Sequence, residues 1–156
     1  MLMRWLGVAL IVILVLLFAG CSASAQLSDY CKSDYTPYVL IDNPSAKDVS
    51  YTELVTFLYT FKPEVVTSKT CGHYAEELHN YSENEGVRCA VVIANTHAFN
   101  GFLTDGKMTY VDAGEGIISI AAKDSDGLKF VKDYDNQIQI QEIGNENKYK
   151  IFWEAK

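Results

Sequence analysis

Positive charge is scarce in this 156-residue sequence, which has 13 lysine and arginine residues against 20 aspartate and glutamate residues. Arg4 is the only charged residue among the first twenty, so the remaining chain has 12 basic and 20 acidic residues and a net charge of −8. Proteins that bind nucleic acid need Lys and Arg to neutralise phosphates. The charge balance therefore argues against nucleic acid as a partner.

The sequence also lacks the spacings of common metal sites, since neither C-x-x-C nor H-x-x-x-H occurs. Cys71 and His73 would point about 200° apart on a helix of 3.6 residues per turn, so they are poorly placed to share a metal. The stretch DSDG at 124–127 has part of a calcium-loop pattern but lacks the distal glutamate. We expect no metal and no other cofactor.

A long apolar run occurs only at the N-terminus, where Trp5 to Gly20 contain no charged residue. Sixteen residues are short for a bilayer span, which needs about 20. The run and the stretch LLFAGC resemble a lipoprotein signal, in which Cys21 is lipidated. We expect a signal peptide at 1–20, a tether and domain edge at 21–47 and a domain at 48–156, exported and anchored to the outer face of the cytoplasmic membrane. The alternative is an uncleaved signal anchor.

The number of cysteines available for disulfide bonds is odd, so at least one thiol has no partner within the chain. With Cys21 assigned to a lipid, Cys31, Cys71 and Cys89 remain. An odd thiol outside the cell is either paired between chains or free and reactive. A bridge between Cys31 and Cys89 would leave Cys71 free, although the sequence does not fix the pairing.

The order of predicted elements indicates an α+β fold. Ser50 and Glu53 form a capping-box pattern at the start of a helix over 50–61, and a second helix begins near Thr70 and ends before Gly86. Strands follow at 87–94, at 97–103 with 108–112, at 116–122, and at 137–143 with 148–153; residues 38–41 add a short strand. Helices followed by a run of strands predict helices packed on an antiparallel sheet.

Cys71 stands where the second helix begins. Free N–H groups and the helix dipole at such a position favour negative charge and lower the pKa of a thiol. The backbone N–H of Cys71 would lie close to an oxyanion that develops on a bound substrate. Burial as a packing residue is the alternative, since free cysteines are among the most buried residues.

The Asp105-Gly106 turn sets the register of the hairpin. A two-residue turn pairs Leu103 with Met108 and places His97 and Asp112 on the same face of the sheet, as diagonal neighbours. An imidazole oriented by a carboxylate is the base that a cysteine nucleophile needs. A hydrogen-bonded surface pair is the alternative interpretation.

The segments CGHYAEELHNYSENEGVRCAVV and THAFNGFLTDGKMTYVDAG resemble the core of the transglutaminase-like superfamily, whose fold is similar to that of papain-type cysteine peptidases. The match covers about residues 50–116 and includes, in order, Cys71, Tyr74-Ala75, Leu78, Gly86-Val87-Arg88, His97-Ala98 and Val111-Asp112. The resemblance implies a compact transglutaminase/papain-like core in a small exported lipoprotein, with a catalytic triad of Cys71, His97 and Asp112.

The expected function is that of a membrane-tethered thiol enzyme, which hydrolyses amide bonds or transfers their acyl groups on a protein or peptide substrate. Two departures from the superfamily pattern favour an alternative. Only 26 positions separate Cys71 from His97, and no upstream glutamine or tryptophan stands out as a second oxyanion donor. The alternative is a catalytically inactive binding module anchored at the membrane, since a fold alone does not establish activity.

Overall fold

A computed structural model of the chain describes residues 26–30, 32–95, 97–124, 127–134, 137–144 and 146–154. The predicted signal peptide and Cys21 lie outside these residues. In the described part of the chain, no helix has the length and apolar character to cross a bilayer.

In the described residues, a 3-10 helix at Leu27–Asp29 and then two α-helices precede the strands. Helix α1 spans Tyr51–Leu58 and buries Leu54 and Leu58. The predicted capping box is present, because Glu53 N–H donates to Ser50 Oγ at 3.3 Å and Ser50 N–H donates to Glu53 Oε2 at 2.8 Å. Helix α2 spans Cys71–Asn84, and a glycine in the left-handed region, Gly86 with φ 80°, follows its end.

Across the residues that the structure describes, eight strands form two antiparallel sheets. The larger sheet has the order β4-β3-β2-β1-β8 and the smaller one has the order β5-β6-β7. The strand bounds are β1 Ala90–Ala94, β2 His97–Thr104, β3 Lys107–Asp112, β4 Ser119–Ile120, β5 Ala122–Asp124, β6 Gly127–Tyr134, β7 Gln137–Gly144 and β8 Lys150–Phe152.

The large sheet is covered on both faces, as two neighbouring valines of β1 show. Val91 packs in a cluster with Ala75 of α2, whereas Val92 packs in a cluster with Phe130 of β6. Successive side chains of a strand point to opposite faces. The helices therefore cover one face of the large sheet and the small sheet covers the other, which explains why the sequence of β1 is almost continuously apolar.

The predicted α+β class and the predicted β2–β3 register are confirmed. Leu103 pairs with Met108 and Thr104 with Lys107, around a turn in which Asp105 and Gly106 both have positive φ, 50° and 77°. Two residues with positive φ are what a type I′ hairpin turn requires.

Other predicted elements are wrong. Strand β6 was not expected, and it takes the place beside β7 that we assigned to the last strand; β8 pairs with β1 instead. The segment expected as one strand at 116–122 contributes Ser119–Ile120 to the large sheet and Ala122 to the small one. Residues 38–41 form no strand. They run along α2, where Val39 N–H donates to Glu76 and Ile41 N–H donates to Asn80.

The bridge considered between Cys31 and Cys89 is contradicted. Cys89 is a free thiol with no exposed surface, and Cys31 lies outside the described residues. The Cys89 thiol accepts a hydrogen bond from Asn100 Nδ2 at 3.4 Å and donates to the carbonyl of Ala90 at 3.6 Å. Burial raises the pKa of Cys89 far above that of an ordinary thiol, so this cysteine is a packing residue.

Candidate active site

Cys71 is the first residue of α2, and Thr70 is its N-cap. The N–H of a first helical residue has no acceptor within the helix, so it is available to a ligand. The side chain is half-buried, in contrast to the sealed Cys89. The structure therefore gives the two described thiols different environments, and only Cys71 borders open space.

His97 and Asp112 lie together, as the hairpin register predicted. His97 Nε2 is 2.9 Å from Asp112 Oδ2, and the two residues come from the adjacent strands β2 and β3. The imidazole stacks on Phe99 with ring centroids 5.8 Å apart and meets the edge of Phe130 at 6.2 Å. These rings and the carboxylate hold the imidazole in one orientation.

The second imidazole nitrogen of His97 is the one that interacts with the Cys71 thiol. Cys71 and His97 line the same cleft, and the interaction between their side chains lowers the pKa of the thiol and raises the pKa of the imidazole. Because Nε2 is engaged by Asp112 and an imidazole has only two nitrogens, the partner of the thiol is Nδ1. The imidazole therefore lies between a carboxylate that it contacts directly and a thiol whose ionisation it favours.

The electrostatics of the pair favour the charged forms. Burial opposes ionisation of Cys71, but hydrogen bonds from His97 and from the backbone N–H groups of Ala98 and Gly72 hold its pKa below the ordinary value. Burial also opposes protonation of His97, yet the hydrogen bonds to Asp112 and Cys71 outweigh it and raise the pKa of His97 to about 9. Both shifts favour a thiolate beside an imidazolium over the neutral pair.

Asp112 is almost completely buried and has three partners. Besides His97, Lys132 Nζ lies 3.0 Å from Asp112 Oδ2, and the N–H of Gly114 donates to Oδ1 at 3.2 Å. Burial alone would raise the pKa of this carboxyl group, but the charges and hydrogen bonds of His97 and Lys132 keep the pKa low. Asp112 therefore stays ionised, as an orienting carboxylate must.

His73 fixes the start of α2. Its Nδ1 accepts a hydrogen bond from the N–H of Thr70 at 3.2 Å, and its Nε2 lies 3.1 Å from Asp34 Oδ2. The imidazole thus replaces the glutamate of an ordinary capping box and ties the helix to the chain ahead of it. This contact holds the helical turn that carries Cys71.

A cleft of about 480 Å³ opens beside the three side chains. The residues that line it come from the start of α2 and the two residues before it, the start of β2, the end of β3 and the residues after it, and the small sheet: Lys69, Thr70, Cys71, Tyr74, His97, Asp112, Gly114, Glu115, Lys132, Gln139, Ile140 and Gln141. Lys69 is paired with Glu77 at 2.9 Å and Lys132 with Asp112. The cleft is large enough for several residues of a substrate.

A second depression, of about 330 Å³, also borders Cys71 and His97. Tyr38 lies in its wall, and its hydroxyl oxygen is 2.8 Å from the position that a Cβ on Gly72 would occupy. The Tyr38 segment is held on α2, because Lys32, whose Nζ lies 5.9 Å from the centre of the Tyr38 ring, pairs with Glu76 at 3.0 Å. A phenol is therefore fixed one residue away from the thiol.

The structure brings together the three side chains that the sequence indicated as catalytic, and it places Lys132, Tyr38 and His73 close to them. Lys132 was missed because strand β6 was not recognised. Tyr38 was missed because nothing in its local sequence links it to α2, and His73 was considered as a metal ligand and not as a capping residue. Tyr110, on the same sheet face as His97, is buried against Phe99 with ring centroids 5.7 Å apart.

Comparison of the chain with protein-family models, with curated proteins and with solved structures found no match. Among the described residues, no three His, Cys, Asp or Glu side chains are grouped closely enough to hold a metal ion.

Proposed function

We propose that the protein is a thiol enzyme that acts on amide bonds of a protein or peptide substrate, with Cys71 as nucleophile, His97 as general base and acid, and Asp112 as the group that orients His97. The observation that carries this proposal is that Cys71, His97 and Asp112 all line one open cleft, with His97 Nε2 2.9 Å from Asp112 Oδ2. The pKa directions of the three groups agree with these roles.

In the first half of the reaction, the Cys71 thiolate attacks the carbonyl carbon and a carbon–sulfur bond forms. The carbonyl oxygen becomes an oxyanion. When the tetrahedral intermediate collapses, the carbon–nitrogen bond breaks and the His97 imidazolium gives its Nδ1 proton to the departing amine. The product is a thioester on Cys71 and a neutral imidazole.

In the second half, neutral His97 removes a proton from water or from an acceptor amine, which attacks the thioester. The carbon–sulfur bond then breaks, and the thiolate–imidazolium pair is restored. Water gives hydrolysis and an amine gives acyl transfer. Asp112 remains ionised throughout, and its negative charge stabilises the imidazolium.

The oxyanion needs hydrogen-bond donors. The N–H of Cys71 is one donor, because it lies at the helix terminus. The Tyr38 hydroxyl is the second, since it is held beside Gly72 and faces the depression that reaches Cys71. Tyr38 thus supplies what the absence of an upstream glutamine or tryptophan left open, and it favours the enzyme over an inactive binding module.

A burst experiment with p-nitrophenyl acetate tests the proposal. Wild-type protein is expected to release one equivalent of p-nitrophenol rapidly and to carry the acetyl group on Cys71, as found by peptide mass mapping. Cys71→Ala is expected to show no burst, whereas Cys89→Ala serves as the matched thiol control and retains it. A wild-type protein with no burst dependent on Cys71 would leave the binding module as the better interpretation.

The same proposal includes a transglutaminase-like core and attachment to the membrane through a lipid on Cys21. The support is the sequence pattern from Cys71 to Asp112 and the LLFAGC stretch. Incorporation of labelled palmitate into wild-type protein, and its loss in Cys21→Ala, tests the anchor. An unlabelled wild-type protein that still sediments with membranes would indicate an uncleaved signal anchor instead.

A further inference from the structure

Strand β7 is an unusually open edge of the small sheet. The order of that sheet is β5-β6-β7, and within the described part of the chain no strand pairs with the outer side of β7. Positions 137–140 are exposed on both faces, with Ile138 at 67 % and Ile140 at 61 %. The backbone N–H and C=O groups along this edge are therefore open to a further strand.

The sequence of β7 offers little protection against pairing. Residues 137–143 read QIQIQEI, with no proline, no lysine and one charged residue. Natural proteins usually prevent pairing at such edges with lysine, proline, β-bulges or a covering segment. The one irregularity in the β6–β7 pairing lies opposite Leu128 and Lys129, at the far end of the strand from Gln139. An unprotected edge of this length suggests that something binds it.

The open edge is also a wall of the cleft. Gln139, Ile140 and Gln141 all line the space beside Cys71 and His97. Successive side chains of a strand point to opposite faces, so three consecutive lining residues mean that the edge of the strand faces the cleft. Lys132, the cross-strand partner of Gln139, reaches Asp112 and fixes this edge relative to the site.

We propose that the outer edge of β7 binds the substrate as an added β-strand, so that the substrate class is an extended, unfolded segment of polypeptide. Main-chain hydrogen bonds to β7 would supply the affinity and alternate side chains the specificity. A folded surface loop could not present a straight strand to this edge. The inference depends on the proposed function only for identifying the bound segment as a substrate. Binding of the segment to the strand edge does not require catalysis.

Binding is measured with full-length Cys71→Ala protein, so that it does not depend on turnover. The probe is α-lactalbumin that has been reduced and carbamidomethylated, and native α-lactalbumin is the folded control of the same sequence. We expect the unfolded probe to slow amide hydrogen exchange in Gln137–Gly144 at least tenfold at saturation, and the native protein to leave it unchanged. Equal effects of both forms, or slowed exchange confined to other elements, would overturn the inference.

Peptides provide a sharper second test. A peptide from the lactalbumin segment that protects β7 is N-methylated at alternate amides, in two registers. Because only alternate N–H groups of an added strand face β7, one register is expected to abolish binding and the other to retain it. Side-chain recognition without strand pairing would make the two registers equal, which would contradict the proposal.

Two lysine substitutions locate the binding to the edge. Ile140→Lys places a charge on the edge strand, and Val131→Lys places one on its cross-strand partner in the central strand β6. Both side chains are exposed, at 61 % and 47 %. We expect Ile140→Lys to weaken binding at least tenfold and Val131→Lys to leave it unchanged.

Two further outcomes are distinguishable. Slowed exchange in β7 that grows with protein concentration when no probe is present would show that a second copy of the chain covers the edge, and this would overturn the inference. The second outcome is that Cys71→Ala binds the added strand while the wild-type protein shows no burst of p-nitrophenol. This result would contradict the proposed chemistry but not the proposed binding mode.

Discussion

Replacing Asp112 by asparagine should separate the electrostatic role of this carboxylate from its role in packing. Asparagine has nearly the same shape but no charge, so it cannot stabilise the His97 imidazolium as a carboxylate does. The pKa of His97 is raised from 6.5 to about 9, which corresponds to about 3 kcal/mol in favour of the charged ring at 1.36 kcal/mol per unit. Asp112 and Cys71 supply this preference against the cost of burial.

We expect Asp112→Asn to remove about half of that preference or more, which lowers the pKa of His97 by about one to two units. Without a stable imidazolium beside it, the Cys71 thiolate is less favoured. The rate of alkylation by iodoacetamide at pH 7 should therefore fall about 10- to 100-fold, while the rate at pH 10, where any accessible thiol is ionised, should change less than about threefold.

The assay follows alkylation of Cys71 from pH 5 to pH 10 by peptide mass mapping. Cys89 is an internal reference, because a buried thiol of raised pKa should remain unmodified while the protein is folded. The variant leaves the buried ammonium of Lys132 without its carboxylate, which destabilises the fold. Asp112→Asn combined with Lys132→Met removes both charges and controls for this effect.

Stability gives a second readout of the same shift. A group with a raised folded pKa contributes stability that is fully present below its unfolded pKa and is lost as the pH rises through the folded value. For His97, wild-type stability to urea should decline between about pH 6.5 and pH 9, and less so in Asp112→Asn. Identical alkylation profiles for wild type and Asp112→Asn, both with the midpoint of an ordinary thiol, would refute the coupling of the three side chains.

Three further substitutions test the surroundings of the thiol. Tyr38→Phe should slow acetylation of Cys71 by p-nitrophenyl acetate about 10²- to 10³-fold. It should leave alkylation by iodoacetamide unchanged, because only acetylation forms an oxyanion. Tyr30→Phe, in the same depression, is the control. Gly72→Ala should slow acetylation in the same selective way, since the new Cβ would lie 2.8 Å from the Tyr38 hydroxyl and displace it. His73→Ala should lower the free energy of unfolding by about 1 kcal/mol in urea titrations, because the N–H of Thr70 loses its acceptor. Equal slowing of both reactions by Tyr38→Phe, or unchanged stability in His73→Ala, would contradict these roles.

Local sequence patterns determined those parts of the fold whose causes are local. The capping box of Ser50 and Glu53 begins a helix wherever it is followed by an apolar stripe. The Asp105-Gly106 turn requires positive φ at two positions, and this requirement fixed the register that brings His97 to Asp112. Within such elements the relevant neighbours are only a few residues apart, so the sequence contains the whole interaction.

Only the tertiary structure decided which distant segments meet. Strand β6 is less apolar in sequence than β1, and its pairing with β7 depends on a core shared by Phe130 with residues of the large sheet. Tyr38 lies against Gly72, the residue after Cys71, because its segment is bound to α2 through contacts that span more than 35 residues. Lys132 reaches Asp112 from a different sheet. Long-range packing of this kind has no local signature, and it completes the site that the sequence outlined.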